Sequence, residues 1–273
     1  MCVKTSSMTN ELVLLKLGGS LITDKDKAYT ARLDKLKELA QEIKTALDLN
    51  PGLKLILGHG SGSFGHVAAK KHGTRDGVQT KEQWLGFAEV RLQAAELNRH
   101  VVTALFEAGI PALPFPPSAS MVSDHRKVTF HNVETIRRAL DAGLLPVVQG
   151  DVAFDEALGG TILSTEDVFT FLIEQFPTKR ILLAGLEAGV WEDFPARTRL
   201  VKQIQAADYE AKRGSIQGSA STDVTGGMKA KVEEMLALIQ KNEGLTAQIF
   251  AAEQVGLLTR ALQGENVGTL LSA

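Results

Sequence analysis

The stretch LILGHGSGSFGHVAAKK, residues 55–71, runs from an apolar segment straight into a glycine-rich turn. Gly60, Gly62 and Gly65 make a G-x-G-x-x-G, and the small residues around them let consecutive backbone N–H groups approach an anion, aided by the positive end of a helix read as beginning near His66. A dinucleotide loop would stand on the first strand-to-helix turn, with an acidic residue about 20 positions on at the end of the next strand. Here an earlier apolar segment, Glu11 to Leu17, precedes it, and the region twenty residues on opens a long helix. The loop is therefore read as holding a different phosphate. A loop that only cradles a cofactor needs no imidazole, so His66 is the candidate contact to that phosphate, and His59 is read as packing or hydrogen-bonding locally.

Outward from this loop, strands alternate with helices. Glu11–Leu17 reads as a strand ending in KLGGS, and Thr30 as the cap of a helix with Leu33, Leu36, Ala40, Ile43 and Leu47 on one face. Thr80 with Gln83 predicts a capping box for a helix to about Glu107, closed by Gly109 and Pro111. KVTF reads as a short strand followed by a helix capped by Asn132; LLPVVQGD is a buried strand, and Ser164 caps TEDVFTFLIEQF. RILLAG, the helix MKAKVEEMLALIQ, the strand AQIFAA, a helix from Glu253 to Leu262 and VGTLLSA complete the order. This alternation predicts an α/β fold with a mostly parallel central sheet covered on both faces, ligands lying outside the carboxyl ends of its strands. A soft boundary near Pro177 divides the chain into residues 11–176 and 177–273, with 1–10 a disordered extension.

Two further motifs carry charge beside glycine. Lys16 stands two residues before the Gly18–Gly19 pair, where a strand-end ammonium can reach bound phosphates as a point charge. Gly226 and Gly227 open a helix with Lys229 and Lys231 in its first turns, and such lysines oppose the helix dipole unless a bound anion compensates. Lys25, in TDKDK, reads as a loop lysine able to swing over a bound nucleotide. Two phosphates so close repel by about 4 kcal/mol for unit charges 4 Å apart at a protein edge. Fixed cations, backbone amides and a magnesium ion are then the minimum apparatus for in-line phosphoryl transfer.

Composition removes other classes. A formal charge of −2 and few aromatics leave no footprint for nucleic acid. Cys2 is the only cysteine, so neither a disulfide framework nor a thiolate metal site is expected. No stretch approaches the ~18 unbroken apolar residues of a membrane span, and MCVKTSSMTN lacks the apolar middle of a signal peptide, which predicts a cytoplasmic protein with no membrane partner. No P-loop, zinc pattern or G-x-S-x-G occurs. On the long helix, Trp84, Phe87, Val90, Leu92 and Leu97 are candidates for an apolar wall, with core packing the competing role.

LLKLGGSLITDK, GHGSGSFGH, PVVQGDVAFD, TILSTEDV, GVWEDFP and TDVTGGMKAKV, in this order, resemble the amino-acid kinase superfamily. Within it, a glycine loop extended to S-F-G-H is similar to that of the isopentenyl phosphate kinases, which use ATP to convert isopentenyl phosphate to isopentenyl diphosphate in isoprenoid precursor biosynthesis. The resemblance implies an open αβα sandwich, an N-terminal acceptor lobe, a C-terminal nucleotide lobe and a homodimer. It implies that Lys16 bridges the two phosphates, that Gly18 and Gly19 lie against ATP, and that Lys231 stabilises the transferring group. By the same carry-over, His66, the loop amides at Gly60, Ser61, Gly62 and Gly65, and Gly150 take the acceptor monophosphate. Gly185, Gly189, Gly226, Gly227 and Lys25 fall on the ATP side, and Asp151 is the candidate for ordering the lysines or the loop. Magnesium is implied on the ATP phosphates, with no side-chain ligand. Where the family shows S-G-D-D, this chain has Ser164-Thr165-Glu166-Asp167, which makes Glu166 the candidate organiser of the lysines and leaves helix capping as an equal account of Ser164 and Asp167. The open alternatives are a different small-molecule acceptor (a phosphonate antibiotic, an acyl amino acid or a nucleotide) and a nucleotide-binding storage or sensor protein without turnover.

Overall fold

The structure is a computed structural model that describes residues 11–209 and 227–273. The first unit is strand β1 (Glu11–Leu17), the single turn α1 (Gly19–Ile22), helix α2 (Leu33–Leu49) and strand β2 (Leu53–His59). Helix α3 (Gly62–His72) and the long helix α4 (Lys81–Glu107) follow, then β3 (Ala112–Pro114), the turn α5 (Pro117–Ser120), β4 (Met121–Asp124), β5 (Lys127–His131) and α6 (Glu134–Asp141). The middle of the chain holds β6 (Leu145–Gln149), β7 (Asp151–Asp155), β8 (Gly159–Leu163), α7 (Thr165–Gln175) and β9 (Thr178–Gly185). Short strands β10 (Val190–Trp191), β11 (Leu200–Val201) and β12 (Gln203–Gln205) lead to α8 (Gly227–Lys241), β13 (Thr246–Ala251), α9 (Leu257–Leu262) and β14 (Thr269–Ser272).

Among the described residues, eight strands form one sheet in the order β12-β14-β13-β9-β1-β2-β6-β3. β1 pairs in parallel with β2 and β9, β2 with β6, and β9 with β13; β14 runs antiparallel to β13. Alternation along β1 decides the layers. Leu12 and Leu14 enter a core with Ile136, Phe169, Leu172 and Val232 from α6, α7 and α8. Val13, Leu15 and Leu17 point the other way, to Leu36, Ile43, Leu97 and Leu258 from α2, α4 and α9. Each face is closed by helices, so this is the αβα sandwich, and every strand of the parallel core is apolar nearly throughout.

Local signals place most of the elements. The Thr80–Gln83 capping box is formed and starts α4; the Ser164–Asp167 box starts α7. Other expectations shift. Thr30 does not cap α2, since its hydroxyl donates to Ala28 O and the helix begins three residues later with no side-chain cap. The helix expected from Glu253 begins at Leu257, and α3 begins at Gly62, four residues before His66. A second sheet, β5-β4-β7-β8, was not anticipated. Its strands are only four or five residues long, too short for their alternation to stand out. The expected extension at 1–10 and Gly226 lie outside the described residues.

Candidate active site

The parallel strands β1, β2, β6, β9 and β13 end on one edge, and the segments that follow β1, β2, β6 and β9 enclose a cavity of about 840 Å3. The loops after β1 and β2 touch backbone to backbone. A Cβ on Gly19 would lie 2.6 Å from Gly62 Cα, and one on Gly60 would lie 3.0 Å from Gly19 N. Gly62 adopts φ +48°, and a Cβ there would stand 2.3 Å from Thr23 Oγ1. The glycines are thus required by the meeting of two loops as much as by any ligand. Thr23, which sequence reasoning passed over, joins them: its hydroxyl accepts from Ser63 N–H at 3.1 Å and donates to Gly19 O at 2.8 Å. No local pattern marks it, because its partner is 40 residues away.

Backbone accounting narrows the donors of the cradle. Gly60 N–H donates to Leu17 O at 3.1 Å and Gly150 N–H to His59 O at 3.1 Å, while Phe64 and Gly65 both bond Ser61 O. The N–H groups of Ser61 and Gly62 are the loop's remaining donors, at the N-terminus of α3. Gly60 and Gly150 contribute room, not the amide donors expected of them, because the fold already uses their N–H groups. Gly18 is similar, its N–H bound to Ala184 O at 2.8 Å. His66, half-buried in the second turn of α3, lines the cavity beside them.

Opposite stand the charged residues. Lys16 is paired in register with Gly58 of β2 and Leu183 of β9, and its ammonium donates to the carboxylate of Glu166 in the first turn of α7. The Ser164–Asp167 capping box consumes Asp167, which leaves Glu166 for the cavity, where it meets Lys16, so the cap and the lysine contact fall on different carboxylates. Burial pushes the Glu166 carboxyl up, but Lys16 and Lys231 together outweigh it and hold the group below the usual carboxylate range. Lys231, one turn into α8, also lines the cavity. Glu166 therefore sits in the field of both lysines although 150 residues separate it from the first.

Of the other expected residues, Gly18, Gly19, Lys25, Gly65, Asp151, Gly185 and Gly227 line the same cavity. Gly189 does not: at φ +152° it packs where a Cβ would lie 2.4 Å from Thr269 Oγ1, so its glycine serves β14 and not a ligand. Asp151 reaches none of the lysines. It accepts from Ser118 Oγ at 2.8 Å and faces Arg91 Nε at 3.4 Å, and burial raises its carboxyl to about 6 against the pull of Arg91 and Ser118. Its role is to tie α4 and α5 to the start of β7. Along α4, Val90 and Ala94 line the cavity with Ile162, whereas Leu97 is core and Leu92 is 64% exposed, so neither of these two is wall. Trp84, Phe87 and Phe154 pack together with ring centroids 5.1–5.8 Å apart. On the far side, Leu186, Trp191 and Phe194 line the cavity, and Trp191 Nε1 donates to Glu187 at 3.1 Å.

A sandwich with glycine loops, lysines and an imidazole around one cavity at the carboxyl edge of the sheet defines a class that binds phosphates there. The amino acid kinase family model matches residues 11–251. The isopentenyl phosphate kinases of Methanocaldococcus jannaschii and Methanothermobacter thermautotrophicus are 33% and 34% identical, each over 94% of this chain and 97% of the relative. A solved isopentenyl phosphate kinase superposes with a TM-score of 0.80 at 29% identity, covering 96% of this chain and 100% of that one. The chain belongs to the amino acid kinase family and, within it, to the isopentenyl phosphate kinases. No helix among the described residues is long and apolar enough to cross a membrane.

Proposed function

We propose that this protein transfers the γ-phosphoryl group of ATP to isopentenyl phosphate, giving isopentenyl diphosphate and ADP. The observation that carries the reading is one cavity lined by His66, Lys16, Glu166 and Lys231 together, with Lys16 paired to Glu166. The isopentenyl phosphate kinases to which nearly the whole chain is similar support it.

In this reading the acceptor monophosphate lies against His66 and the N–H groups of Ser61 and Gly62, with its apolar tail toward Val90, Ala94 and Ile162. Burying a five-carbon tail contributes roughly 3 to 4 kcal/mol at about 0.8 per methylene, so few polar contacts beyond the phosphate are needed. ATP occupies the side of Gly18, Gly19, Gly185, Gly227 and Lys25. A phosphate monoester has a second pKa near 6, so its attacking oxygen is already deprotonated at neutral pH. No general base is required, and the work of the chain is alignment and charge neutralisation. An acceptor oxygen forms a bond to the γ-phosphorus while the bond to the β,γ-bridging oxygen breaks and its electron pair leaves with ADP. Lys16, steadied by Glu166, offsets the repulsion of the approaching groups, and Lys231 meets the charge on the transferring group.

Magnesium supplies further charge neutralisation when it arrives on the nucleotide phosphates. The donor set fits that mode: Glu166, Asp151 and Glu187 are each engaged by Lys16, by Ser118 and by Trp191 and Arg197 respectively, which suits an ion held by phosphate oxygens and not by a protein cage. A homodimer is part of the proposal. Leu85, Leu92 and Phe106, at spacings of seven and fourteen on α4, are 71%, 64% and 74% exposed on one side of the helix. Sedimentation of a single 29.4 kDa species would reject it.

The test is incubation with ATP, magnesium and a panel of monophosphates and carboxylates, followed by phosphorus NMR. Formation of the diphosphate from isopentenyl phosphate, and its loss on chelation of magnesium, is expected. Transfer to another acceptor alone, or tight ATP binding with no transfer, would overturn the reading.

A further inference from the structure

Two buried groups shape the acceptor loop without lining the cavity. His59, the last residue of β2, is 1% exposed, and Asn98 in the middle of α4 is 7% exposed. His59 Nε2 lies 2.9 Å from Asn98 Nδ2, and its Nδ1 lies 3.1 Å from the carbonyl oxygen of Gly60. The carbonyl of His59 itself accepts from Gly150 N–H at 3.1 Å and from Thr165 Oγ1 at 2.7 Å.

These contacts select one protonation state. A carbonyl oxygen only accepts, so the nitrogen facing Gly60 must carry the hydrogen; Nε2 is then a lone pair, and Asn98 must turn its NH2 toward it. The opposite tautomer would set a ring lone pair against the Gly60 carbonyl. Burial also presses the imidazole down to about 4 despite the Gly60 bond, which favours the neutral ring at neutral pH.

The consequence lies in the geometry of one peptide. The Gly60 carbonyl and the Ser61 N–H belong to the same planar trans unit and point in opposite directions. Holding that carbonyl on the imidazole therefore turns the Ser61 N–H the other way. This peptide turns about ψ of Gly60 and φ of Ser61, and a glycine at position 60 adds no Cβ to restrict the first, so without the clamp the peptide can flip and present an oxygen to an incoming anion.

We propose that His59 and Asn98 are a positioning pair: Asn98 sets the His59 tautomer, and His59 Nδ1–H holds the Gly60 carbonyl away so that the Ser61 and Gly62 N–H groups face the acceptor phosphate. Naming that anion rests on the functional reading above; the clamp itself does not.

Nitrogen-15 NMR of the substrate-free protein, labelled in histidine, reads the tautomer directly. The Nδ1–H form is expected for His59, and an Nε2–H form would overturn the proposal. In calorimetry, Asn98→Leu should weaken isopentenyl phosphate binding about tenfold, the effect of one lost hydrogen bond, with ATP binding unchanged. Equal loss of both ligands, or an unchanged acceptor affinity in a folded variant, would overturn the pair. If the wild-type protein binds or phosphorylates no isopentenyl phosphate, the functional reading falls alone, because the NMR measurement needs neither substrate nor variant.

Discussion

Glu166 accepts from the ammonium of Lys16 across 150 residues of sequence, joining the end of β1 to the first turn of α7. The field of Lys231 falls on the same carboxylate. Replacing Glu166 with Gln would leave two cations facing each other in a part-buried site. The expected result is a loss of about 3 kcal/mol in the nucleotide-free protein, the scale for breaking a buried pair, and a kcat about a hundredfold lower. ATP should raise the melting temperature of the variant more than that of the wild type, since its phosphates restore the missing negative charge. Equal thermal shifts would show that the carboxylate does not organise the lysines.

His66 stands half-buried on α3 beside the Ser61 and Gly62 donors. Its replacement by Ala should lower kcat/KM for the acceptor by about a hundredfold while the melting temperature stays within a few degrees. A large fall in stability with retained specific activity would make His66 a structural residue. Lys16→Ala and Lys231→Ala should each lower the rate at saturating substrate, since their charge matters most in the transition state.

Gly62 combines φ +48° with a Cβ position 2.3 Å from Thr23 Oγ1 and 2.8 Å from Gly19 O. Gly62→Ala should therefore cost about 2 kcal/mol or more and separate the two loops. Denaturant unfolding checks the first, and a raised KM for both substrates checks the second. A variant with wild-type stability would mean that the loops do not meet as described.

Glu234, one turn beyond Lys231, is raised from 4.5 to about 7 by burial and by Glu166 and Asp167, with Lys16 and Lys231 opposing. Between these values the folded chain holds more protons than the unfolded one, so this group's contribution to stability falls as pH rises through the window. Glu234→Gln should flatten the profile and stabilise the protein at pH 8 by about 2 kcal/mol, a figure reduced for partial exposure. Melting curves from pH 5 to 8 that stay parallel for the two proteins would refute the assignment.

Much of the site was legible because its signals are local. A glycine pair after an apolar run, a lysine two residues earlier, and capping boxes at Thr80 and Ser164 each occupy a few neighbouring positions. Parallel strands then bring such turns to one edge. What went unread has partners far along the chain or on another element: Thr23 with Ser63, Asp151 with Ser118 and Arg91, His59 with Asn98.

The order of amino acids by itself determined which of the longer segments become strands and helices, and that the turns after β1 and β2 and the start of α8 carry glycine and lysine. Tertiary structure decided that Asp167 closes a helix cap while Glu166 faces two lysines, that Gly60 and Gly150 lend space and not hydrogens, and that Gly189 serves β14. The reason is range. Caps and periodicity are settled within one or two turns of backbone, whereas the partner of a buried charge or amide depends on which strands lie side by side in the sheet.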